Sequence, residues 1–404
     1  MMEGYFVRTL GMHRVYNSAF MNMLKREDNA KYRSSIKNTI EFDPEILKRY
    51  VNFMNNPDEE TASVQFGNDD KYFGVCTMMI GMPGLPMFGH GQVEGFEEKY
   101  GMEYPRAYRD EKVNDGLVER HRREIFPLMK RRWLFAGVEN FLLYDFYENG
   151  HVNENVFAWS NRAGDERALI LYNNVYQQAT GWIKTSAAYA EKHPDGSRTI
   201  NQRNLADGLA LTNRADRFCV MQEQRSGLWY MRTTREIFDN GLFASLNGFQ
   251  TQVFVNIYEV DDNERGHYRT LYESLNGRGI EDVHMGIQNI VLKDLYAALA
   301  AVASPAFFRD VQMLAIPAAA RKPPEPPLSA TSSNGWKNPP GSFSRFASAL
   351  SMAIMAPEPS PGSTKSAPSP QPMPSGHVWQ SASKSCSASR KSRQKYRRRS
   401  CPNR

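Results

Sequence analysis

The chain has 404 residues, 41% of them hydrophobic and 12% aromatic, enough to build cores for two domains. That composition excludes a collagen-like, wholly disordered or small disulfide-stapled protein. The formal charge of +6 is unevenly placed, because residues 321–404 carry 14 Lys+Arg against 2 Glu, leaving 36 basic and 42 acidic side chains before them. The body is therefore mildly acidic, and nucleic acid is an unlikely partner for it. Cys76, Cys219, Cys386 and Cys401 are far apart and show no metal-ligand spacing. Reduced thiols are expected, with no metal and no cofactor. No apolar run reaches the roughly 18 residues of a membrane span, and the longest, Leu295 to Phe308, is broken at Ser304-Pro305. No signal-peptide pattern opens the sequence. A cytoplasmic protein with no membrane partner is the expectation.

In chain order, Arg14 to Phe20 is read as a short buried strand and Phe20 to Asn38 as a helix. Tyr50 to Met54 is a second strand, stopped by Asn55-Asn56-Pro57-Asp58, since proline disfavours helical geometry in the residue before it. Phe73, Cys76, Met79 and Ile80 have the spacing of one helical face, which predicts a helix over Asp70 to Met82. Gly81 to Gly84 ends it, and Leu85 to Phe88 is a third strand. Strands alternating with helices predict a parallel sheet with helical crossovers.

From about Arg120 the pattern changes. Glu124 to Phe135 is read as a helix. Hairpins follow: Asn155–Ser160 with Arg167–Tyr172, and Phe218–Gln222 with Leu228–Arg232. Gln252–Tyr258 is a further β-rich run. These predict an antiparallel, sandwich-like β domain. Ile287, Val291, Leu295, Leu299 and Val302 then predict one helix. Past Leu314 both periods are lost, and residues 321–404 hold 14 of the 23 prolines. Such a segment buries too little apolar surface to offset chain entropy, so a disordered tail is expected. Its basic end, Arg390 to Arg399, reads either as a nucleic-acid arm or as the product of an accidental reading frame. The expected boundaries are 1–118, 119–314 and 315–404.

Two of these segments gain meaning together. Phe53-Met54-Asn55-Asn56-Pro57-Asp58 is a strand ending in a polar turn with a carboxylate, and Gly84-Leu85-Pro86-Met87-Phe88-Gly89-His90-Gly91-Gln92 follows after one helix. The pair resembles the end of the barrel in the α-amylase clan, glycoside hydrolase family thirteen. There the seventh strand carries Phe-x-x-Asn-His-Asp and the eighth Gly-x-Pro-x-x-x-x-Gly-Glu. Phe53, Asn56 and Asp58 match the first, with Pro57 where histidine is usual; Gly84, Pro86 and Gly91 match the second, with Gln92 in place of glutamate. The stretches Gly11–Phe20 and Glu97–Tyr104 also look like those of a bacterial subgroup, and the resemblance covers about residues 3–310. It implies an α/β fold: the last strand–helix units of a (β/α)8 barrel, then a β-sandwich-like domain. It implies α-glucan or maltooligosaccharide as partner, hydrolysed or transferred by a retaining mechanism. It implies Asp58 as the carboxylate that supports the oxocarbenium-like transition state, and Asn56 as a substrate-binding residue. Losing histidine at position 57 is expected to remove one hydrogen bond to the sugar.

In the family the nucleophilic aspartate follows the fourth strand and the acid glutamate the fifth. Counting back from Phe53, the strand at Val15 is the sixth, and no Gly-x-Arg-x-Asp motif occurs. Glu3 is the one tempting acid, but it adjoins sequence read as the helix after the fifth strand. The chain thus looks like the C-terminal part of such an enzyme, without the catalytic pair and inactive by itself. An open sheet of this kind is expected to turn Val51, Phe53, Leu85 and Met87 to water or a partner. The alternative is a non-catalytic carbohydrate-binding or interaction protein built on the same remnant. A third reading, a nucleic-acid binder using the tail, predicts strongly salt-dependent binding. His90 and Glu94 are four apart, but Gly89, Gly91 and Gly95 argue for a loop over a metal-bearing helix. Gly89-x-Gly91 lacks the lysine of a nucleotide loop. Trp159, Trp182, Trp229 and Tyr230 suit either sugar stacking or hairpin packing. Asp145 and Glu148 are read as solvated turn residues.

Overall fold

In the computed structural model residues 3–99 and 106–315 are described. Of the expected tail 315–404, everything from residue 316 on, with Cys386 and Cys401, lies outside the described residues, and Ala315 ends the helix Pro305–Ala315. Strands β1 (Val15–Tyr16), β2 (Tyr50–Phe53) and β3 (Leu85–Met87) form one parallel sheet in the order β1-β2-β3. Val51 pairs with Leu85 and Phe53 with Met87 in parallel register, as the strand–helix–strand spacing predicts. Each strand is followed by helix: α1 (Ser18–Lys25) and α2 (Asn29–Phe42) after β1, α3 (Ala62–Phe66) and α4 (Asp70–Gly81) after β2, and short helices between Asp115 and Phe135 after β3. This curled, partial α/β barrel matches the expected class.

Several boundaries differ, each for a local reason. The first strand is only two residues long, because the Asn17 side chain accepts the Phe20 amide at 3.2 Å and starts α1 at Ser18. The helix read through Asn38 is two helices, broken where Glu27 takes φ +59°. The helix read over Glu124–Phe135 is a π-turn, His121–Ile125, followed by Phe126–Met129 and Arg132–Phe135. Pro127 cannot donate a backbone hydrogen bond there, so the ladder is interrupted. The helix read through Ile287 and Val302 is split at Leu292 into Val283–Val291 and Lys293–Val302, bent by 66°. No single helix among the described residues is long and apolar enough to cross a membrane.

The remaining strands are β4 (Leu142–Glu148), β5 (His151–Val152), β6 (Val156–Ala163), β7 (Glu166–Asn173), β8 (Ala179–Ser186), β9 (Tyr189–Lys192), β10 (Arg198–Asn201), β11 (Arg217–Glu223), β12 (Trp229–Thr233), β13 (Leu242–Leu246) and β14 (Thr251–Asp261). By hydrogen bonding nine of them make one sheet, β12-β11-β14-β7-β6-β4-β8-β13, with β5 on β4; β9 and β10 form a separate ribbon. The antiparallel class is as expected, but its pairing is continuous. Alternate residues of β6 and β7 enter two cores. Phe157, Trp159, Ile170 and Tyr172 join α1, α2 and α4 in the first, and Val156, Ala158, Leu169 and Leu171 join β8, β11 and β13 in the second. The parallel and antiparallel segments therefore share the first core.

Helix α4 lies between the two sheets and is buried from Tyr72 to Gly81. Two glycines allow this approach. A Cβ on Gly74 would stand 1.9 Å from the Tyr172 ring, and at Gly81 the carbonyl receives the Trp159 indole at 3.0 Å. Trp159 is thus a core residue, whereas Trp182 is 41% exposed and packs edge-on against Phe243 across strands.

The open-sheet expectation is corrected in part. Val51 and Phe53 are buried, Phe53 with its ring 5.2 Å from that of Tyr16. Leu85 is 45% exposed, as expected for a strand with an unpaired edge, and Met87 is half-buried. Asp145 and Glu148 are corrected too: both lie in β4. Asp145 pairs with Lys37 at 2.6 Å and with Arg33, and Glu148 accepts the Thr180 amide at 2.8 Å.

Candidate functional site

The turns after β2 and β3 lie side by side because their strands pair in register. Gly84 makes that pairing possible. It has φ +108°, and a Cβ there would lie 2.5 Å from the Tyr50 carbonyl oxygen and 2.8 Å from that of Leu47. Arg132 braces the same corner by donating to the Met82 carbonyl at 3.2 Å and to those of Ile80 and Gly84. Burial lowers its pKa to about 10, which still leaves it charged near neutrality. On the helical side, Asn17 Nδ2 donates to Asn52 Oδ1 at 2.9 Å and Asn52 Nδ2 to the Pro83 carbonyl at 3.1 Å. A buried asparagine pair thus ties all three strands together.

Beyond the strand ends, Asn55, Asn56, Pro57, Glu59, Thr61, His90 and Lys99 line a cavity of about 40 Å³. Asn56 is buried, and its Oδ1 accepts the amides of Asp58 at 2.9 Å and Glu59 at 3.1 Å. Its carbonyl oxygen of the side chain is therefore committed to the turn. Asp58 is exposed, and its backbone carbonyl accepts Lys99 Nζ at 2.9 Å. Among the described residues no side chain holds the Asp58 carboxylate. The structure brings Asn56 together with His90 and Lys99; Asp58 adjoins this cluster without lining the cavity. Asn55 Oδ1 and Thr61 Oγ1 are buried without a partner. A polar space of this size accommodates water, not a sugar ring.

Gln92, which stands where the resemblance implies glutamate, is 1% exposed. Its Oε1 accepts the Gly89 amide at 3.1 Å, which closes the turn after β3. His90 and Glu94 fall in that turn region and not on a helix. Among the described residues no group of three or more His, Cys, Asp or Glu side chains is placed to hold a metal. Glu3 opens the helix Glu3–Arg8, so the helix begins before the sequence read as helical and Glu3 is its first residue. Cys76 and Cys219 are buried free thiols; burial raises both, Cys219 to about 12, so neither is a nucleophile.

A second layer supports Gln92 and was missed in the sequence. The Tyr72 hydroxyl donates to the Gln92 carbonyl at 2.7 Å and stands 3.1 Å from His121 Nε2. His121 Nδ1 faces the Leu117 carbonyl at 2.9 Å and must carry a proton, since a carbonyl only accepts. The imidazole is fully buried, and burial lowers its pKa; Glu94 and Glu124 oppose the shift and Arg120 adds to it. The folded chain therefore binds this proton less readily than the unfolded chain, whose imidazole titrates near ~6.5. Stability is full above that pH and is lost as pH falls toward the folded-state pKa. Urea midpoints at pH 7.5 and 5.5 should fall more in the natural protein than in His121→Gln. A larger fall in the variant would reverse the assigned sign.

No protein-family model matches the chain, and no curated protein matches it. Solved structures that resemble part of it include α-amylases and a debranching enzyme. The α-amylase from H. orenii aligns at 13% identity and TM-score 0.35, covering 63% of this chain and 51% of that one. The Geobacillus thermoleovorans α-amylase, complexed with acarbose, aligns at 11% identity and TM-score 0.34, covering 51% and 38%. Eubacterium rectale Amy13B aligns at 14% identity and TM-score 0.37, covering 63% and 50%. The chain thus spans about two-fifths to one-half of the length of these proteins. At such TM-scores the functional reading rests on the residues themselves.

Proposed function

We propose that this chain is the C-terminal part of a retaining enzyme acting on α-glucans, by hydrolysis or glucanotransfer, and that it does not catalyse by itself. The observation that carries the reading is the parallel β2–β3 pair with Asp58 and Gln92 in adjoining turns. Catalytic groups of such barrels project from the C-terminal ends of their strands. In this reading Asp58 stabilises charge developing on the sugar ring, and the turn built on Asn56 positions it. The exposed carboxylate has no competing partner among the described side chains, so it is free to meet a sugar once a cleft is formed. The nucleophile and the general acid belong to strands that would adjoin β1. Without them no glycosyl intermediate forms and the leaving oxygen departs unprotonated.

The expected result is that the 404-residue chain releases no reducing sugar from starch or maltoheptaose. Joining the upstream coding sequence in frame should supply the nucleophile and acid motifs and confer hydrolysis. Asp58→Asn in that longer protein should then lower turnover by about two orders of magnitude or more, the scale of losing one electrostatic stabiliser. Turnover by the 404-residue chain that disappears in Asp58→Asn would show that the catalytic pair is already present.

A further inference from the structure

A second cleft lies on the antiparallel sheet, distant in sequence from Asp58 and Asn56. It encloses about 240 Å³ between the β6–β7 turn, the start of β12 and the middle of β14. Trp229 and Tyr258 supply its apolar wall, their rings edge to face with centroids 5.9 Å apart. Tyr258 is 42% exposed. Its direction is set by a bulge: Val220 pairs with Tyr258 but Gln222 with Val255, so Asn256 and Ile257 together oppose Met221. Asn256 takes φ +51° there, and its amide donates to Gln222 Oε1 at 2.8 Å. Strict alternation along β14 would turn Tyr258 to the side of Phe254, into the second core; the extra residue brings it beside Trp229.

The opposite wall is polar and charged. Arg131 and Arg167 face the same space as Asp165 and Glu166. Arg131, Asp165 and Glu166 hold no ion pair among the described residues, whereas Arg167 Nη2 lies 4.0 Å from Glu259 Oε2 and donates to the Ala210 carbonyl at 3.4 Å. With Arg167 offset by Glu259, one cation and two anions remain, which disfavours an anionic ligand. They offer donors and acceptors together, next to aromatic faces. A neutral polyhydroxylated ring with one C–H face needs that combination. The geometry points to this cleft as a binding site for one pyranose ring of a neutral oligosaccharide, seated on Trp229 and Tyr258 with its hydroxyls held by Arg131, Asp165 and Glu166. The inference does not depend on the barrel reading.

Calorimetry of the full chain with maltotriose, cellotriose and inorganic phosphate tests it. At least one trisaccharide should bind, and phosphate should not. Tyr258→Ala and Trp229→Ala should each raise Kd about tenfold or more. Tyr258→Ala guards against a folding failure at Trp229, which also packs on the cluster around Met231. Binding of either trisaccharide at this cleft would support the inference, whichever glucan the Asp58 site takes. Absence of sugar binding, binding that neither aromatic variant weakens, or capture of phosphate at this cleft would overturn the inference.

Discussion

Replacing Arg33 by methionine is expected to destabilise the protein by about 3 kcal/mol, the low end for breaking a buried ion pair. The side chain is fully buried, yet it projects from α2 into the antiparallel sheet. Its Nε donates to Glu154 at 2.6 Å and its Nη1 to the Val156 carbonyl at 2.8 Å, and Nη2 pairs with Asp145. The guanidinium therefore joins the helix after β1 to β4 and the start of β6. Truncation leaves the Val156 carbonyl and the Glu154 carboxylate without this donor, while Asp145 keeps Lys37 at 2.6 Å. Glu154 is 39% exposed and rehydrates easily, which sets the low end of the range. Arg33→Lys should recover only part of the loss, because an ammonium cannot donate along the same fork. Urea denaturation measures both. A loss under about 1 kcal/mol for the methionine variant would show that the cluster is dispensable.

Gly74→Ala is expected to reverse the usual sign of its class. In an exposed helix interior this change stabilises by about 0.5–1 kcal/mol. Here the new methyl meets the Tyr172 ring, with ideal distances of 1.9 Å to Cε2 and 2.4 Å to Cζ. The ring cannot swing away easily, since it is fully buried and its hydroxyl donates to Asn174 Oδ1 at 2.7 Å. Overpacking of this kind costs about 1–3 kcal/mol. Tyr172→Leu, which removes the obstructing ring, should make Gly74→Ala less harmful in the double variant than alone. Equal cost of Gly74→Ala in both backgrounds would place the obstruction elsewhere.

Much of the local architecture was legible from residue order. Period-two runs with turn residues between them marked the β6–β7 and β11–β12 hairpins, and a strand–helix–strand rhythm marked β2, α4 and β3. Boundaries failed where one side chain decides them, as at Asn17, or where a helix changes pitch, as at His121. The face of α4 was legible only in part. Four apolar positions gave its period, but the helix is buried all round because two sheets enclose it, and periodicity reports one face at a time.

The candidate site divides in the same way. The turn at Asn55–Asp58, the strand before it and the Gly84–Gln92 segment were readable as motifs, because turn chemistry depends on neighbours in the chain. The roles of Arg33, Asp145, His121 and Tyr258 were not. Arg33 meets Glu154 from 121 residues away, and Tyr72 meets His121 across 49. Their environments are made by packing, which carries no local period. Sequence by itself determined the order of strands and helices, the parallel-then-antiparallel division and the polar turns at the strand ends. Tertiary structure alone decided which charges are buried, which glycines touch an aromatic ring and that Tyr258 stands beside Trp229. Those are properties of distance between segments, and pairing register and helix–sheet packing set that distance.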